Sequence, residues 1–304
     1  MEADTTEIAS ARFAVSAETF ARLAYVALGA LFLIVVSGAT VRLTGSGLGC
    51  DNWPRCGSSF LPEKNFHALV EYGNRGVGFV VGLVTLAAAI AATRVERIPR
   101  WLLWAAWALP VTVLLQGILG GITVLVELHP LIVMAHFLLS LLALAIAVVV
   151  ALDAHDFARG AVKHPPLAAN WLAVVLVPSA LALVVTGTLV TAAGPHSGGE
   201  KIKRYGLLPD ALHIHVGATA IFGIAFLGIV ASLFWRRAEA RGDLFFAAGV
   251  LGLLLVQMTI GDIQWREHLP WPLVLVHVTF ATAVWVGVVG LAARLLLRSR
   301  PVLP

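Results

Sequence analysis

Residues 71–76 read Glu-Tyr-Gly-Asn-Arg-Gly, and the apolar run that they begin meets no further charge until Arg94. Glu71 and Asn74 are three residues apart, so on a helix the carboxylate and the amide share one face. If this face met lipid, the carboxylate alone would cost roughly 3 kcal/mol. We therefore expect the face to be directed at another part of the protein.

The chain resembles itself at a fixed spacing. When 141 is added to residue numbers of the first half, they fall on matching positions of the second half. The pairs are Asn74 with His215, Gly76 with Gly217, Gly82 with Gly223, Arg100 with Arg241, Gln116 with Gln257, Gly120 with Gly261 and His136 with His277. Several of these pairs are polar residues inside apolar runs, which biased composition does not explain. This constant difference, which we call the repeat spacing, predicts a tandem duplication.

The first helix of each half matches at a larger spacing, of 149. The pairs here are Ser37-Gly38 with Thr186-Gly187, Val41 with Val190, and Gly45 with Gly194. The difference of eight between the two spacings predicts that the first half carries a longer loop after its first helix. Both cysteines of the chain lie in that loop.

Composition places the chain in a membrane. Hydrophobic residues make up 59% of the 304 and charged residues 12%, about half the charged fraction of an ordinary globular domain. Eight apolar runs are long enough to cross ~30 Å of hydrocarbon, and they lie near 22–42, 68–93, 101–126, 130–152, 168–192, 211–235, 244–263 and 272–294. We predict an all-α polytopic membrane protein built as two tandem four-helix bundles, with domains at 1–160 and 161–304.

The distribution of Lys and Arg predicts the orientation. With the N-terminus inside, thirteen of these residues lie at the cytoplasmic face: Arg12, Arg22, Arg94, Arg97, Arg100, Arg159, Lys163, Arg236, Arg237, Arg241, Arg294, Arg298 and Arg300. Seven lie outside: Arg42, Arg55, Lys64, Lys201, Lys203, Arg204 and Arg266. Both termini are therefore expected in the cytoplasm. The net charge of +4 then reflects this topology, so we expect no nucleic-acid partner.

Cys50 and Cys56 fall in the first outer loop, in a Gly-rich segment that also contains Trp53-Pro54. Two cysteines that close so short a loop on the oxidising side of a membrane favour a disulfide. Two free thiols are the alternative. A two-thiol metal site is a weaker one, because the chain has no second cysteine pair.

The histidines of the second half give the strongest chemical signal. His215 and His277 lie near the outer ends of the sixth and eighth runs, at matched depth on alternate helices. A single histidine inside an apolar helix is more often hydrogen-bonded to a neighbour than a metal ligand. A matched pair, however, can bind one iron from both sides, and a heme fits among the apolar side chains of a four-helix bundle. Zinc would need more protein ligands.

The two halves differ where chemistry is expected. At the repeat spacing, Glu71 falls on Leu212, so the carboxylate belongs to the first half alone, where the matched pair becomes Asn74 and His136. A heme offered a single histidine keeps a coordination position open to chemistry. We interpret the second half as a cofactor site and the first as a reaction site. A purely structural hydrogen bond is the alternative role for Glu71.

These residues resemble those of the heme A synthases, membrane enzymes that oxidise a methyl group of heme o to the formyl group of heme a for cytochrome oxidase. The resemblance covers essentially the whole chain. It includes the segment 44–50 with Trp53-Pro54 and Cys56, the Glu-Tyr start of the second helix, and the histidines on helices four, six and eight.

The resemblance implies a heme b on His215 and His277, with heme o bound in the N-terminal half. There Glu71 would be catalytic, stabilising positive charge beside the ring or moving a proton, and His136 would ligate the substrate iron. Two oxygenations of one methyl would give an alcohol and then a hydrate that loses water. Electrons from an unidentified donor would arrive through heme b.

The chain departs from the family in two places. Asn74 stands where many members have histidine, so His136 alone, or His136 with His67, would hold the iron; we group Asn74, His67 and Arg75 as substrate-binding. The outer loop of the second half also lacks the second cysteine pair that many members carry.

Two other functions stay open at this point. One is a diheme b-type protein that transfers electrons without catalysis, and the other is a heme transporter. The expected location is the bacterial cell membrane, in contact with the lipid bilayer. Contact with the enzyme that makes heme o, and self-association into homo-oligomers, are compatible with this interpretation, although no residue of the sequence points to either.

Overall fold

The computed structural model describes residues 14–163, 171–196, 204–296 and 299–300. In these residues the fold consists of eight long helices: α1 (Ala17–Leu43), α2 (Phe66–Ala92), α3 (Arg100–Leu125), α4 (Pro130–Ala158), α5 (Trp171–Ala193), α6 (Leu208–Trp235), α7 (Arg241–Arg266) and α8 (Trp271–Leu296). Two strands of two residues, β1 (Val162–Lys163) and β2 (Ser299–Arg300), pair antiparallel.

All eight helices are long and apolar enough to span a membrane, which confirms the predicted all-α polytopic membrane protein. The predicted start of the fifth run, residues 168–170, lies outside the described residues, as do residues 1–13 and 301–304. The cytoplasmic location of both termini stays a prediction.

The first two helices begin before their apolar runs, each at a residue that a polar side chain caps. Ser16 accepts a hydrogen bond from the Thr19 amide at the start of α1, and Asn65 accepts one from the Ala68 amide at the start of α2, at 2.8 Å. Such caps satisfy amides that have no partner within the helix. The cap at Asn65 fixes the end of α2 that carries Glu71 and Asn74.

The helices of each half contact one another in a closed ring. α1 contacts α2 and α4, and α3 also contacts both; in the same way α5 contacts α6 and α8, and α7 contacts both. As a result, α2 lies across its ring from α4, and α6 across its ring from α8. The domain boundary at residue 160 stays a prediction.

The two rings meet along α4 and α8, with further contacts of α1 with α8 and of α4 with α5. The meeting face is built from small and branched side chains such as Ala147, Val148 and Val288, all buried. Trp285 of α8 donates a hydrogen bond from Nε1 to the Leu141 carbonyl of α4, at 2.9 Å. This bond satisfies the buried indole N–H.

The turn between α3 and α4 and the turn between α7 and α8 have the same backbone conformation. Glu127 and Leu128, between α3 and α4, have φ of 52° and 59°, and His268 and Leu269, between α7 and α8, both have φ of 61°. Two successive non-glycine residues in the left-handed region are uncommon and strained. The same strained turn therefore recurs at the repeat spacing.

The loop between α1 and α2 and the loop between α5 and α6 differ in length as the sequence predicts. Residues 44–65 separate α1 from α2, and residues 194–207 separate α5 from α6. The first loop is longer by eight residues, which equals the difference between the two spacings. These extra residues allow the first loop to reach over the first half of the molecule.

Candidate functional site

A cavity of about 1890 Å³ runs through the interior and receives side chains from all eight helices. Sites for small molecules usually occupy ~300–1,000 Å³, so this space admits ligands of large size. Its lining is mainly apolar, and six of the predicted site residues contribute to it. These are Glu71, Asn74, Arg75, His136, His215 and His277.

In the second half, His215 is oriented by the neighbouring helix. Thr186 of α5 hydrogen-bonds Nδ1 of His215 at 3.1 Å. A Cβ added to Gly187 would lie 3.2 Å from Cε1 of the same ring, so the imidazole packs directly against the glycine. The Thr186 contact leaves Nε2 as the nitrogen available to a ligand.

His277 has a similar setting on α8. A Cβ added to Gly261 of α7 would lie 3.1 Å from its Cε1. The Gln257 amide meets Nε2 of His277 at 3.1 Å. The other ring nitrogen, Nδ1, is buried without a hydrogen-bond partner among the described residues.

In the first half, His136 of α4 packs in the same manner. A Cβ on Gly120 of α3 would lie 3.2 Å from its Cε1. Gln116 donates to the His136 carbonyl at 3.0 Å and to Ser140 Oγ at 2.6 Å. On the opposite side of the ring of helices, Asn74 of α2 accepts a hydrogen bond from Ser37 Oγ at 2.8 Å.

Glu71 is buried and both of its oxygens are engaged. Oε2 accepts the backbone N–H of Cys50 at 2.7 Å, and Oε1 accepts Arg75 at 2.7 Å. The side chain of Glu71 is 7% exposed and that of Arg75 is 21% exposed. The carboxylate therefore lies at the cavity wall in a fixed position, joined to the outer loop.

Arg75 makes the connection to the loop stronger. Besides Glu71, its guanidinium donates to the carbonyls of Asn52 at 3.0 Å, Pro54 at 3.3 Å and Arg55 at 3.0 Å. A guanidinium presents several donors in a fixed plane and suits such a cluster of acceptors. Sequence reasoning missed this role, because the acceptors lie in the preceding loop, 20 to 23 residues before Arg75. No local helical pattern extends that far.

The anchored loop covers part of the cavity, and we call residues 50–60 the lid. The disulfide between Cys50 and Cys56, with a Cα–Cα distance of 4.5 Å, confirms the predicted bridge. Trp53 lies so close to Gly121 of α3 that any Cβ there would overlap the indole. Trp53 and Phe60 both line the cavity.

His67 lies apart from the other predicted site residues. It is exposed, hydrogen-bonds Ser46 Oγ through Nδ1 at 2.9 Å, and packs edge to face on Phe66. His67 is not among the described residues that line the cavity. Its proposed contact with the substrate stays a prediction.

Further buried polar atoms of residues that line the cavity have no hydrogen-bond partner in the described part of the chain. These are Nδ1 of His136 and the side-chain oxygens of Gln116, Gln257 and Gln264. Gln116 and Gln257 are paired at the repeat spacing, so the sequence carried a signal for them. Each of these two lies beside a histidine of its own half.

The donor set fits a flat ligand that binds its metal through single imidazoles. Among the described residues, no three or more His, Cys, Asp or Glu side chains gather as a metal cluster requires. The histidines instead stand singly in apolar walls, on helices that face each other across a ring. Imidazoles placed in this way would be able to hold the iron of a porphyrin.

Eight membrane-spanning helices around a large apolar cavity, with single histidines in its wall, define a polytopic membrane protein with an internal ligand site. Residues 21–68 and 58–197 match the COX15-CtaA family, described as cytochrome oxidase assembly protein. The chain belongs to this family.

Two curated relatives match over most of the chain, and a third matches over less than half of it. The heme A synthase of Symbiobacterium thermophilum is 31% identical over 84% of this chain and 88% of its own length. The heme A synthase of Geobacillus kaustophilus is 25% identical over 89% of both. That of Bacillus pumilus is 29% identical over 44% of each chain.

Proposed function

We propose that this protein is a heme A synthase, an oxidoreductase that converts heme o to heme a by oxidising a ring methyl to a formyl group. The family and the names of the relatives support this function. The structural observation that carries it is the cavity, in which His136, His215 and His277 each pack against a glycine of the preceding helix.

The second half is proposed to hold heme b between His215 and His277. Their helices lie across the ring from each other, and Thr186 keeps Nε2 of His215 free for iron. A heme with two histidine ligands supplies one-electron transfer when bound. The protein's contribution is to orient both imidazoles and to exclude water with apolar walls.

The first half is proposed to hold the substrate, heme o, with His136 on its iron. Glu71 is the proposed catalytic residue. Its carboxylate lies at the cavity wall and is fixed by Cys50 and Arg75, so it can stabilise positive charge that develops beside the ring or accept a proton. Arg75 is proposed to position Glu71, and the lid to shield the site from water.

The proposed setting is the bacterial cell membrane, with both termini in the cytoplasm. The proposed iron-facing residues of both halves would lie near the outer side of this membrane: Asn74, His136, His215 and His277. The electron donor is a separate partner. Contact with the enzyme that makes heme o, and self-association, are compatible with this setting.

Analysis of extracted hemes tests the function. The full-length protein is produced in cells that make heme o but no heme a, and the extracted hemes are separated by chromatography. We expect heme a with the wild type and with the control His213→Ala, since His213 is an exposed residue of α6. His136→Ala should form no heme a while it retains heme b.

Unchanged heme o in cells that contain the wild-type protein, with heme b bound to that protein, would overturn the proposed activity. That result would favour the electron-transfer protein. Exchangeable heme without an oxidised product would favour the transporter.

A further inference from the structure

The first and second halves hold residues 74 and 215 with the same device. Ser37 of α1 hydrogen-bonds Asn74, as Thr186 of α5 hydrogen-bonds His215. Ser37 and Thr186 correspond at the spacing of the first helices, and Asn74 and His215 correspond at the repeat spacing. Asn74 therefore occupies the position of an axial ligand without being a histidine.

The space beside the glycine that neighbours each of these side chains differs between Asn74 and the histidines. Gly120, Gly187 and Gly261 each press against an imidazole, because a Cβ added to any of them would lie 3.1 to 3.2 Å from the ring. Next to Gly38, which follows Ser37, an added Cβ would meet no atom of the described residues within 4 Å beyond its own helix and chain neighbours. The shorter amide thus leaves open space where the other sites are filled.

The carboxylate and the imidazole of α2, on Glu71 and His67, are engaged elsewhere. Both oxygens of Glu71 accept hydrogen bonds from the lid and Arg75. His67 is bonded to Ser46 and does not line the cavity in the described part of the chain. Of the side chains of Glu71, His67 and Asn74, that of Asn74 is the one that lines the cavity without a hydrogen bond to the lid.

The amide of Asn74 is oriented as a donor. Its Oδ1 accepts from Ser37, so Nδ2 keeps its two protons for other acceptors. No hydrogen-bond partner of Nδ2 occurs among the described residues. Asn74 also lines the cavity that His136 lines.

We propose that the first-half site binds the substrate iron from one side only, through His136, and that the space between Asn74 and Gly38 is a pocket for a small diatomic ligand of that iron. The amide N–H of Asn74 donates a hydrogen bond to this ligand. The polarity and donors of such a pocket decide whether a heme binds small ligands. The inference rests on the proposed binding of heme o in the first half.

Carbon monoxide is the probe. The purified full-length protein, loaded with hemes in cells that make heme o, is reduced, and its absorbance and C–O stretching band are recorded with the gas. We expect roughly half of the bound heme to react, because a heme between two histidines has no open position. The reactive fraction should disappear in His136→Ala.

Two variants of residue 74 test the pocket. Asn74→His fits beside Gly38 as His215 fits beside Gly187, so it should retain both hemes and lose the carbon monoxide reaction. Asn74→Leu keeps the number and branching of the side-chain heavy atoms without the donor, so it should still react. Its C–O stretch should rise, and the gas should dissociate about two- to tenfold faster, as the loss of one hydrogen bond implies.

The outcomes separate this inference from the proposed function. Wild-type protein that carries two hemes but binds no carbon monoxide overturns the open pocket and leaves the function standing. An unchanged reaction in Asn74→His, or an unchanged C–O stretch in Asn74→Leu, overturns the role of residue 74. Protein that binds no heme overturns both proposals.

Discussion

Replacement of Glu71 by glutamine separates a catalytic role from a structural one. The carboxylate accepts two hydrogen bonds, from the Cys50 N–H and from Arg75, both at 2.7 Å. A glutamine at this position has one acceptor oxygen, so one of the two donors loses its partner. An unpaired buried donor costs about 1–3 kcal/mol, which increases the population of the detached lid roughly 5- to 150-fold.

Arg75→Gln is the matched control, because it detaches the lid without removing the carboxylate. It loses the bond to Glu71 and the bonds to three lid carbonyls, so the lid should open at least as far as in Glu71→Gln. Hydrogen exchange of the amides of residues 49–60 measures this opening. Heme a extracted from cells measures the activity of both variants.

We expect both variants to retain heme b. Glu71→Gln should lower heme a formation by roughly 10²-fold or more, the usual contribution of a positioned acid or base, whereas Arg75→Gln should retain a larger share. Arg75→Gln that abolishes heme a as completely as Glu71→Gln would show that the carboxylate serves as an anchor for the lid. Normal turnover in Glu71→Gln would remove the residue from the mechanism.

Three further substitutions test the walls of the cavity and the lid. Gly261→Ala places a Cβ 3.1 Å from His277 and should reduce the heme b retained after purification. Gly252→Ala on the same helix is the control: its Cβ would meet no described atom within 4 Å beyond its own helix and chain neighbours, so heme b should be unchanged. Equal heme content in the two variants would refute the packing argument. Cys56→Ser should speed hydrogen exchange in the lid and spare heme b, and unchanged exchange would show that the disulfide does not hold it. Thr186→Val removes the hydroxyl that orients its histidine and should weaken heme b binding about tenfold, as measured by heme titration, whereas wild-type affinity would deny that role.

The helices and the difference in loop length were predictable because their signals are local or periodic. Apolar runs of sufficient length mark membrane spans in any sequence. The short spacing of Cys50 and Cys56 on the oxidising side predicted their bridge, which the structure confirms. The longer first loop followed from the change in spacing alone.

The connections of Glu71 and Arg75 were not predictable. The periodicity of α2 placed Glu71, Asn74 and His67 on one face, but it could not show that the lid folds back over the first of them. His67 lies one turn above Glu71, where the loop meets it through Ser46. Contacts of this kind depend on tertiary folding of a long loop, which helical periodicity does not describe.

The packing of each histidine against a glycine also needed the structure. The sequence showed Gly120 and Gly261 at matched positions, yet nothing in it paired them with His136 and His277 across two helices. The open space at Gly38 became visible only by comparison with the glycines that contact His136, His215 and His277. Differences between the halves therefore carry as much information as their likeness.

The most direct test of the account is the number of hemes per chain and their axial ligation, measured on purified protein by pyridine hemochrome and electron paramagnetic resonance spectra. The account predicts a low-spin heme b with two histidine ligands that is lost when His215 and His277 are both replaced by alanine. Protein that carries no heme, or a double variant with its full heme content, would contradict it.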